Sequence, residues 1–234
     1  MLSIIIPTLN EEKYLPKLLE SINQQSYADY EIIVADNNST DNTRLIAEKY
    51  SCKLVRGGKP AEARNNGAKS AKGEILLFID ADCILKHNFL KKSLNEMNRR
   101  NLAAAGCFVW PLNEKIIDNT GFAIFNIWLF LVQFFYPNAS GSGIFCKRSL
   151  HEKIWGFDQS IVLSEDMDYA RRAGKHARFR ILNAVETYTS MRRFGNEGTL
   201  KTMLKLFLSA AYRILFGEIK TDIFKYKLEY GKRR

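Results

Sequence analysis

The sequence is short of the residues that staple or metallate small proteins. Its 234 residues hold only four cysteines and three histidines. Cys52, Cys83, Cys107 and Cys146 stand singly with no Cys-x-x-Cys pair, so neither a zinc site nor a disulfide framework is indicated, and a reducing, cytoplasmic setting follows. His87, His151 and His176 have no ligand-like spacing and read as ordinary surface or capping residues. Long apolar runs are missing too. The longest stretch, Phe122 to Tyr136, is interrupted by Asn126 and Gln133 and falls short of the roughly 18–20 residues that span a bilayer. The N-terminus, Met-Leu-Ser-Ile-Ile-Ile-Pro, lacks the basic segment of a signal peptide and reads as a first strand. No repeat, low-complexity tract or Pro/Gly/Ser-rich linker divides the chain.

Acidic residues are in deficit. Asp and Glu number 25 against 35 Lys and Arg, a net charge of +10, which suits an anionic partner such as nucleic acid, a membrane surface or a phosphorylated substrate. The excess is concentrated at the end, where eleven basic and four acidic residues follow from Arg192 onward. What is present otherwise is ordinary globular material, 46% hydrophobic and 26% charged, enough for one well-buried α/β domain.

The first hundred residues alternate β-branched runs with helical patterns. Ser3–Ile6, Glu31–Ala35, Lys53–Val55 and Ile75–Ile79 read as strands, and Glu11–Gln24, Asn42–Tyr50, Ala61–Ala71 and Phe89–Arg99 as helices. That order predicts a parallel, helix-flanked sheet, in which ligands bind beyond the carboxyl ends of the strands. Those ends are polar: Pro7-Thr8-Leu9-Asn10-Glu11-Glu12, Asp36-Asn37-Asn38-Ser39-Thr40-Asp41 and Asp80-Ala81-Asp82. The second half offers a strand over Ala103–Trp110, the aromatic run, a small-residue loop over Asn138–Gly143 and a helix opening at Ser164.

Asp80 and Asp82, two apart at a strand end, can converge on one hard cation, as Mg²⁺ sites built from one or two carboxylates and substrate phosphates do. A second Asp-x-Asp, Asp166-Met167-Asp168, opens a helix instead. Asp36 can accept hydrogen bonds from a base imide or ribose hydroxyls, or belong to a turn and helix cap. Arg64 is a surface helix charge or a pyrophosphate contact. Ser164, Glu165 and Asp166 suit a helix start, because acids there complement the helix dipole. The dipole would also hold the pKa of Asp166 down.

Four ordered motifs, Ile-Ile-Pro-Thr-Leu-Asn-Glu-Glu, Val34-Ala-Asp-Asn-Asn-Ser-Thr-Asp41, Ala63-Arg-Asn-Asn-Gly-Ala and Gly73-Glu-Ile-Leu-Leu-Phe-Ile-Asp-Ala-Asp82, resemble the nucleotide-binding half of family-2 glycosyltransferases with the GT-A fold. The resemblance runs through Gly156-Phe157-Asp158 and Ser164-Glu165-Asp166, to about residue 195. It implies a Rossmann-type α/β fold with a mostly parallel sheet flanked by helices, residues 1–100 forming the nucleotide-sugar half and 101–195 the acceptor half, with a basic amphipathic appendage at 196–234. It also implies an inverting transferase that uses Mg²⁺ or Mn²⁺ and a UDP- or GDP-linked sugar. The metal would lie on Asp80 and Asp82, the donor against Pro7, Thr8, Asn10, Glu12, Asp36, Arg64 and Ala81, and the general base would be Asp166. Ser140, Gly141, Ser142, Glu165, Arg192 and Arg193 are candidates for the acceptor or the departing diphosphate. The Gln-x-x-Arg-Trp pattern of processive members is absent, the region reading Thr189-Ser190-Met191-Arg192-Arg193-Phe194, so one sugar per event is expected.

From Leu200 to Phe216, Lys201, Lys205, Ser209 and Arg213 form a narrow polar stripe on an apolar helix, a pattern shared by interfacial helices and by helices packed on a core. Together with Trp128 and Tyr136 it predicts attachment to the cytosolic face of an anionic membrane and a lipid-linked acceptor. Nucleic acid is not expected, since the cations interleave with aliphatic residues and not with a stacking platform. Two other readings stay open. A sugar nucleotidyltransferase would carry a Gly-rich loop where Pro7-Thr8-Leu9-Asn10 stands, and a catalytically silent nucleotide-binding, membrane-docking module would keep Asp80 and Asp82 without needing Asp166.

Overall fold

A computed structural model describes residues 1–192 and 199–221. Alternation along β1 (Leu2–Thr8) sends Leu2, Ile4 and Ile6 to one face and Ile5 to the other, as the two-residue period of a strand requires. Both faces are covered. On the first lie α1 (Leu15–Asn23), α2 (Thr43–Lys49) and α4 (Phe89–Arg99). On the second lie α3 (Pro60–Lys69), α5 (Ile116–Val132), α6 (Arg148–Lys153) and α7 (Glu165–His176).

The strands β2 (Tyr30–Asp36), β3 (Lys53–Arg56), β4 (Ile75–Phe78), β5 (Cys83–Leu85), β6 (Ala104–Pro111), β7 (Ile144–Lys147) and β8 (Phe179–Thr189) complete one eight-stranded sheet in the order β3-β2-β1-β4-β7-β6-β8-β5. β1, β2, β3 and β4 run parallel, as do β6 and β8, while β7 and β5 are antiparallel to their neighbours. The four early strands and the helix α4 fall where their patterns place them. Helix α1 does not: it starts at Leu15 and not Glu11, because Asn10 adopts a left-handed backbone (φ 56) and Pro16 stands in the first turn.

The polar interruptions of the aromatic run prove to be fastenings. Asn126 is buried and pairs with both backbone groups of Val109 (3.1 and 2.8 Å), and Gln133 accepts from the Ile181 amide (2.9 Å). Strand β8 is bulged against β6 between Cys107 and Phe108. The buried Glu96 carboxylate takes up the amides of Asn183 and Ala184 (3.0 and 2.8 Å) near that irregularity, so a side chain supplies acceptors that the ladder does not.

The last described helix, α8 (Thr199–Phe216), packs against α5. Its exit returns to the domain, with the Val162 amide donating to the Ile219 carbonyl (3.0 Å). The polar stripe does not form a continuous solvent face. Lys201 is exposed, but Ser209 and Arg213 are buried and Arg213 pairs with Glu218 at 2.7 Å, whereas Leu204 and Leu208 are exposed. Among the described residues no helix is long and apolar enough to cross a membrane.

Candidate active site

The carboxyl ends of β1, β2 and β4 open on one side, and their loops are tied to one another before any ligand is considered. Thr8 donates to Asp36 (3.1 Å), whose carboxylate also accepts the Ser39 amide (3.0 Å) and hydroxyl. Asn10 accepts the Thr40 amide (2.8 Å) and donates its own amide to Ser39 (2.9 Å). Glu12 accepts from Asn42 (2.9 Å). Pro7 lies opposite Ala35 in the β1–β2 register. Asp36, Asn10 and Glu12 thus hold the crevice edge in shape. Asp36 closes the turn and stands, buried, at the strand end.

Arg64 joins the two halves. It comes from α3, is only 3% exposed, and donates to Asp80 (2.8 Å) and to Glu165 (2.6 Å) from separate guanidinium nitrogens. Its guanidinium also lies 5.3 Å from the ring centroid of Phe157, which is stacked on Tyr169 at 4.0 Å. Burial works against the charge of Arg64, but Asp80, Glu165 and Asp166 outweigh it and raise its pKa. The surface-charge reading of Arg64 is therefore excluded.

Asp166 enters from the start of α7. One carboxylate oxygen accepts the Gly141 amide (2.7 Å) and the other the Met167 amide (2.8 Å). Gly141 is required by close approach: a Cβ there would lie 2.5 Å from the Arg64 guanidinium and 3.2 Å from Asp80. Ser140 and Ser142 bond to each other across it (3.2 Å). Ser164 precedes α7 in a left-handed conformation (φ 66) and makes no side-chain cap. A helix start does not keep the Asp166 pKa down, contrary to expectation. Burial, and next the charge of Glu165, push it up to about 6 against the opposing pull of Arg64 and the two amides.

Asp82 is buried on the other side of Ala81 and accepts from Ser190 (3.0 Å). Arg192 lies 3.3 Å from Asp82, forms a two-pronged pair with the buried Glu11, and stacks over Tyr14 at 4.7 Å. Arg192 therefore belongs to the crevice and not to a surface pair, while Arg193 lies outside the described residues. Neither Glu11 nor Ser190 is singled out by sequence; the only signal for Glu11 is its place in the loop after β1. His151 is a correction. It is buried, stacked on Phe78, and bonded through Nδ1 to the Tyr169 hydroxyl (2.9 Å), and burial lowers its pKa to about 4.

For a divalent metal the donor set is two hard carboxylates, Asp80 and Asp82. Among the described residues no group of three or more His, Cys, Asp or Glu side chains could hold a metal ion. Two carboxylates fit an ion whose remaining ligands are phosphate oxygens and water, and both acids lie at the crevice with guanidinium partners already balancing their charge.

The sequence and the fold have known relatives. TarS of Staphylococcus aureus, a poly(ribitol-phosphate) beta-N-acetylglucosaminyltransferase, is 39% identical over 99 residues, covering 38% of this chain and 17% of that protein. A Methanococcus voltae protein, dolichyl N-acetyl-alpha-D-glucosaminyl phosphate 3-beta-D-2,3-diacetamido-2,3-dideoxy-beta-D-glucuronosyltransferase, is 27% identical over 191 residues, covering 72% of this chain and 60% of that one. The chain thus spans less than two thirds of either relative. Among solved structures, the mannosyltransferase PcManGT of Pyrobaculum calidifontis with GDP-Man and Mn²⁺ superposes with a TM-score of 0.74 at 22% identity, over 93% of this chain and 65% of that one. The fold is the expected GT-A α/β fold, its sheet largely parallel. Residues 3–154 match the family model described as Glycosyl transferase family 2, and the chain belongs to that family.

Proposed function

We propose that the protein is an inverting glycosyltransferase that moves one sugar from a UDP- or GDP-linked donor to a hydroxyl of a lipid-linked acceptor at the cytosolic face of a membrane. The observation that carries the reading is the convergence of Asp80, Glu165 and Asp166, from opposite halves of the chain, around the single buried guanidinium of Arg64. The donor side is supported by PcManGT, whose structure holds GDP-Man and Mn²⁺, and the acceptor side by the dolichyl-linked acceptor in the name of the Methanococcus relative.

Asp80 and Asp82 would hold Mg²⁺ or Mn²⁺, which when bound neutralises charge on the diphosphate. Asp166 takes the proton of the acceptor hydroxyl as its oxygen attacks the anomeric carbon opposite the leaving diphosphate, and the Gly141 amide fixes the carboxylate for that transfer. Arg64 keeps its positive charge between the two acid groups, so the base helix and the donor site stay in register. Arg192, beside Asp82, supplies a second cation to the leaving side. An apolar stripe along α5, including Ile124, Ile127 and Leu131, is exposed, and this face suits a membrane surface.

Paired variants test the reading. Asp166→Asn should lower transfer by roughly 10²–10⁴-fold with donor affinity unchanged, and Asp82→Asn should remove the metal dependence of nucleotide binding measured by calorimetry. Transfer near the wild-type rate in Asp166→Asn, or nucleotide affinity indifferent to Mn²⁺ in the wild type, would reject the assignment.

A further inference from the structure

Away from the crevice, a cavity of about 350 Å³ lies between the segment leaving α5, the C-terminal half of α7 and the start of β8. Arg171, Lys175, Arg178 and Arg180 line it, and among the described residues no acidic one does. Arg171 is already engaged with Asp168 and Glu218 (3.3 and 2.7 Å). Among the described residues, Lys175, Arg178 and Arg180 form no ion pair; Arg178 donates only to the Arg100 carbonyl (3.4 Å) and Arg180 to the Phe179 carbonyl (2.6 Å). Like charges crowd here. Burial first, then the neighbouring Arg178 and Arg100, lower the pKa of Arg180.

Two buried donors add to the imbalance, since among the described residues the Tyr136 hydroxyl and the Arg171 Nε have no hydrogen-bond partner. Unmatched buried donors beside uncompensated cations are stabilised by an anion with several acceptor oxygens. The walls are firm: Pro137 packs so closely on Gly174 of α7 that a Cβ there would lie 2.6 Å from the proline ring. The mouth is apolar. Phe134 and Phe135 line the cavity at 62% and 77% exposure, and Phe134 carries the Arg180 guanidinium 4.8 Å above its ring. They continue the exposed stripe of Ile117, Ile124, Ile127 and Leu131 on α5, spaced by three, four or seven residues as one helix face requires.

We propose that this cavity binds the phosphate headgroup of a membrane lipid, with Lys175, Arg178, Arg180 and the Tyr136 hydroxyl on the phosphate and Phe134 and Phe135 entering the lipid surface. A phosphate in a basic, part-buried cavity whose rim is aromatic and aliphatic matches lipid at the headgroup level, where cation attraction and apolar insertion act together. Lys175 follows Asp166 by nine residues on α7, about 14 Å along the helix axis, so this site is separate from the transfer chemistry. The inference rests on the membrane reading given above and adds to it a headgroup-specific site.

The test uses the full chain and three vesicle types: phosphatidylcholine alone, the same lipid made anionic with oleate, and the same lipid brought to equal charge with phosphatidic acid. We expect about tenfold tighter co-sedimentation with phosphatidic acid than with oleate. The variant Lys175→Gln/Arg178→Gln/Arg180→Gln should lose that preference yet keep wild-type thermal unfolding and wild-type hydrolysis of the donor in solution. Single Arg178→Gln, at an exposed side chain, gives the same readout should the triple variant unfold. Equal binding to oleate and phosphatidic acid vesicles overturns the headgroup site while leaving membrane attachment standing. Failure to bind any vesicle rejects both. Calorimetry with inorganic phosphate separates the sources: saturation by free phosphate as tight as by phosphatidic acid vesicles would assign the site to a soluble anion and overturn the lipid reading.

Discussion

Replacing Glu165 by Gln should move the acidic limb of the pH–rate profile downward. A base works only when ionised, so with the Asp166 pKa raised to about 6, transfer declines as pH falls through that value. Burial is the first cause of the elevation and the neighbouring Glu165 charge the second, while Arg64 and the amides of Gly141 and Met167 oppose both. Glu165→Gln removes the second cause and retains an oxygen to accept from Arg64, so burial stays and the repulsion goes. Wild-type Asp166 is about one-tenth ionised at pH 5; if loss of the neighbouring charge lowers its pKa by about one unit, the ionised share rises to about one half. Activity at pH 5 relative to pH 8 should therefore increase about fivefold. The assay is nucleotide release at subsaturating substrate, because kcat/KM reports the ionisation of the free enzyme, the state in which the Asp166 pKa is about 6. Arg64→Gln should move the limb the other way, since it removes a charge that favours ionised Asp166. An unmoved limb in Glu165→Gln, or an upward shift, would refute both the identity of the base and the electrostatic account of its pKa.

Gly141→Ala places a methyl group against a buried guanidinium that Asp80 and Glu165 hold in place; transfer should fall at least about tenfold and stability by about 1–3 kcal/mol, and wild-type kcat with an unchanged melting temperature would show that the loop yields. Asn65 bonds both the amide and the carbonyl of Phe157 at 2.8 Å in a buried site, and Asn65→Ala should cost about 2–3 kcal/mol in denaturant unfolding through two stranded backbone groups. A loss below about 0.5 kcal/mol would mean that water or rearrangement replaces the amide.

The first half of the chain was legible because its signals are local. Ile4, Ile5 and Ile6 alternate between two helix layers, and a polar strand end in a parallel sheet marks the ligand side without reference to anything distant. Asp80 and Asp82 sit where that logic put them. The second half resists the same treatment, since β8 carries Asn183, Ala184 and Glu186 within its eleven residues and becomes a strand through β6, β5 and the Glu96 carboxylate. Its pattern of side chains does not announce it.

Sequence alone determined the order of the early strands and helices, the resemblance carried by four spaced motifs, and the residue types available for binding and proton transfer. Tertiary structure decided which of them meet. Arg64 joins Asp80, sixteen positions away, to Glu165, one hundred and one positions away, and Arg192 joins Glu11 across one hundred and eighty-one. The same packing buried His151 and Arg213 and raised the pKa of Asp166 to about 6. Charge, burial and desolvation depend on the distances between atoms, and those distances are set by the closing of the sheet and its helix layers.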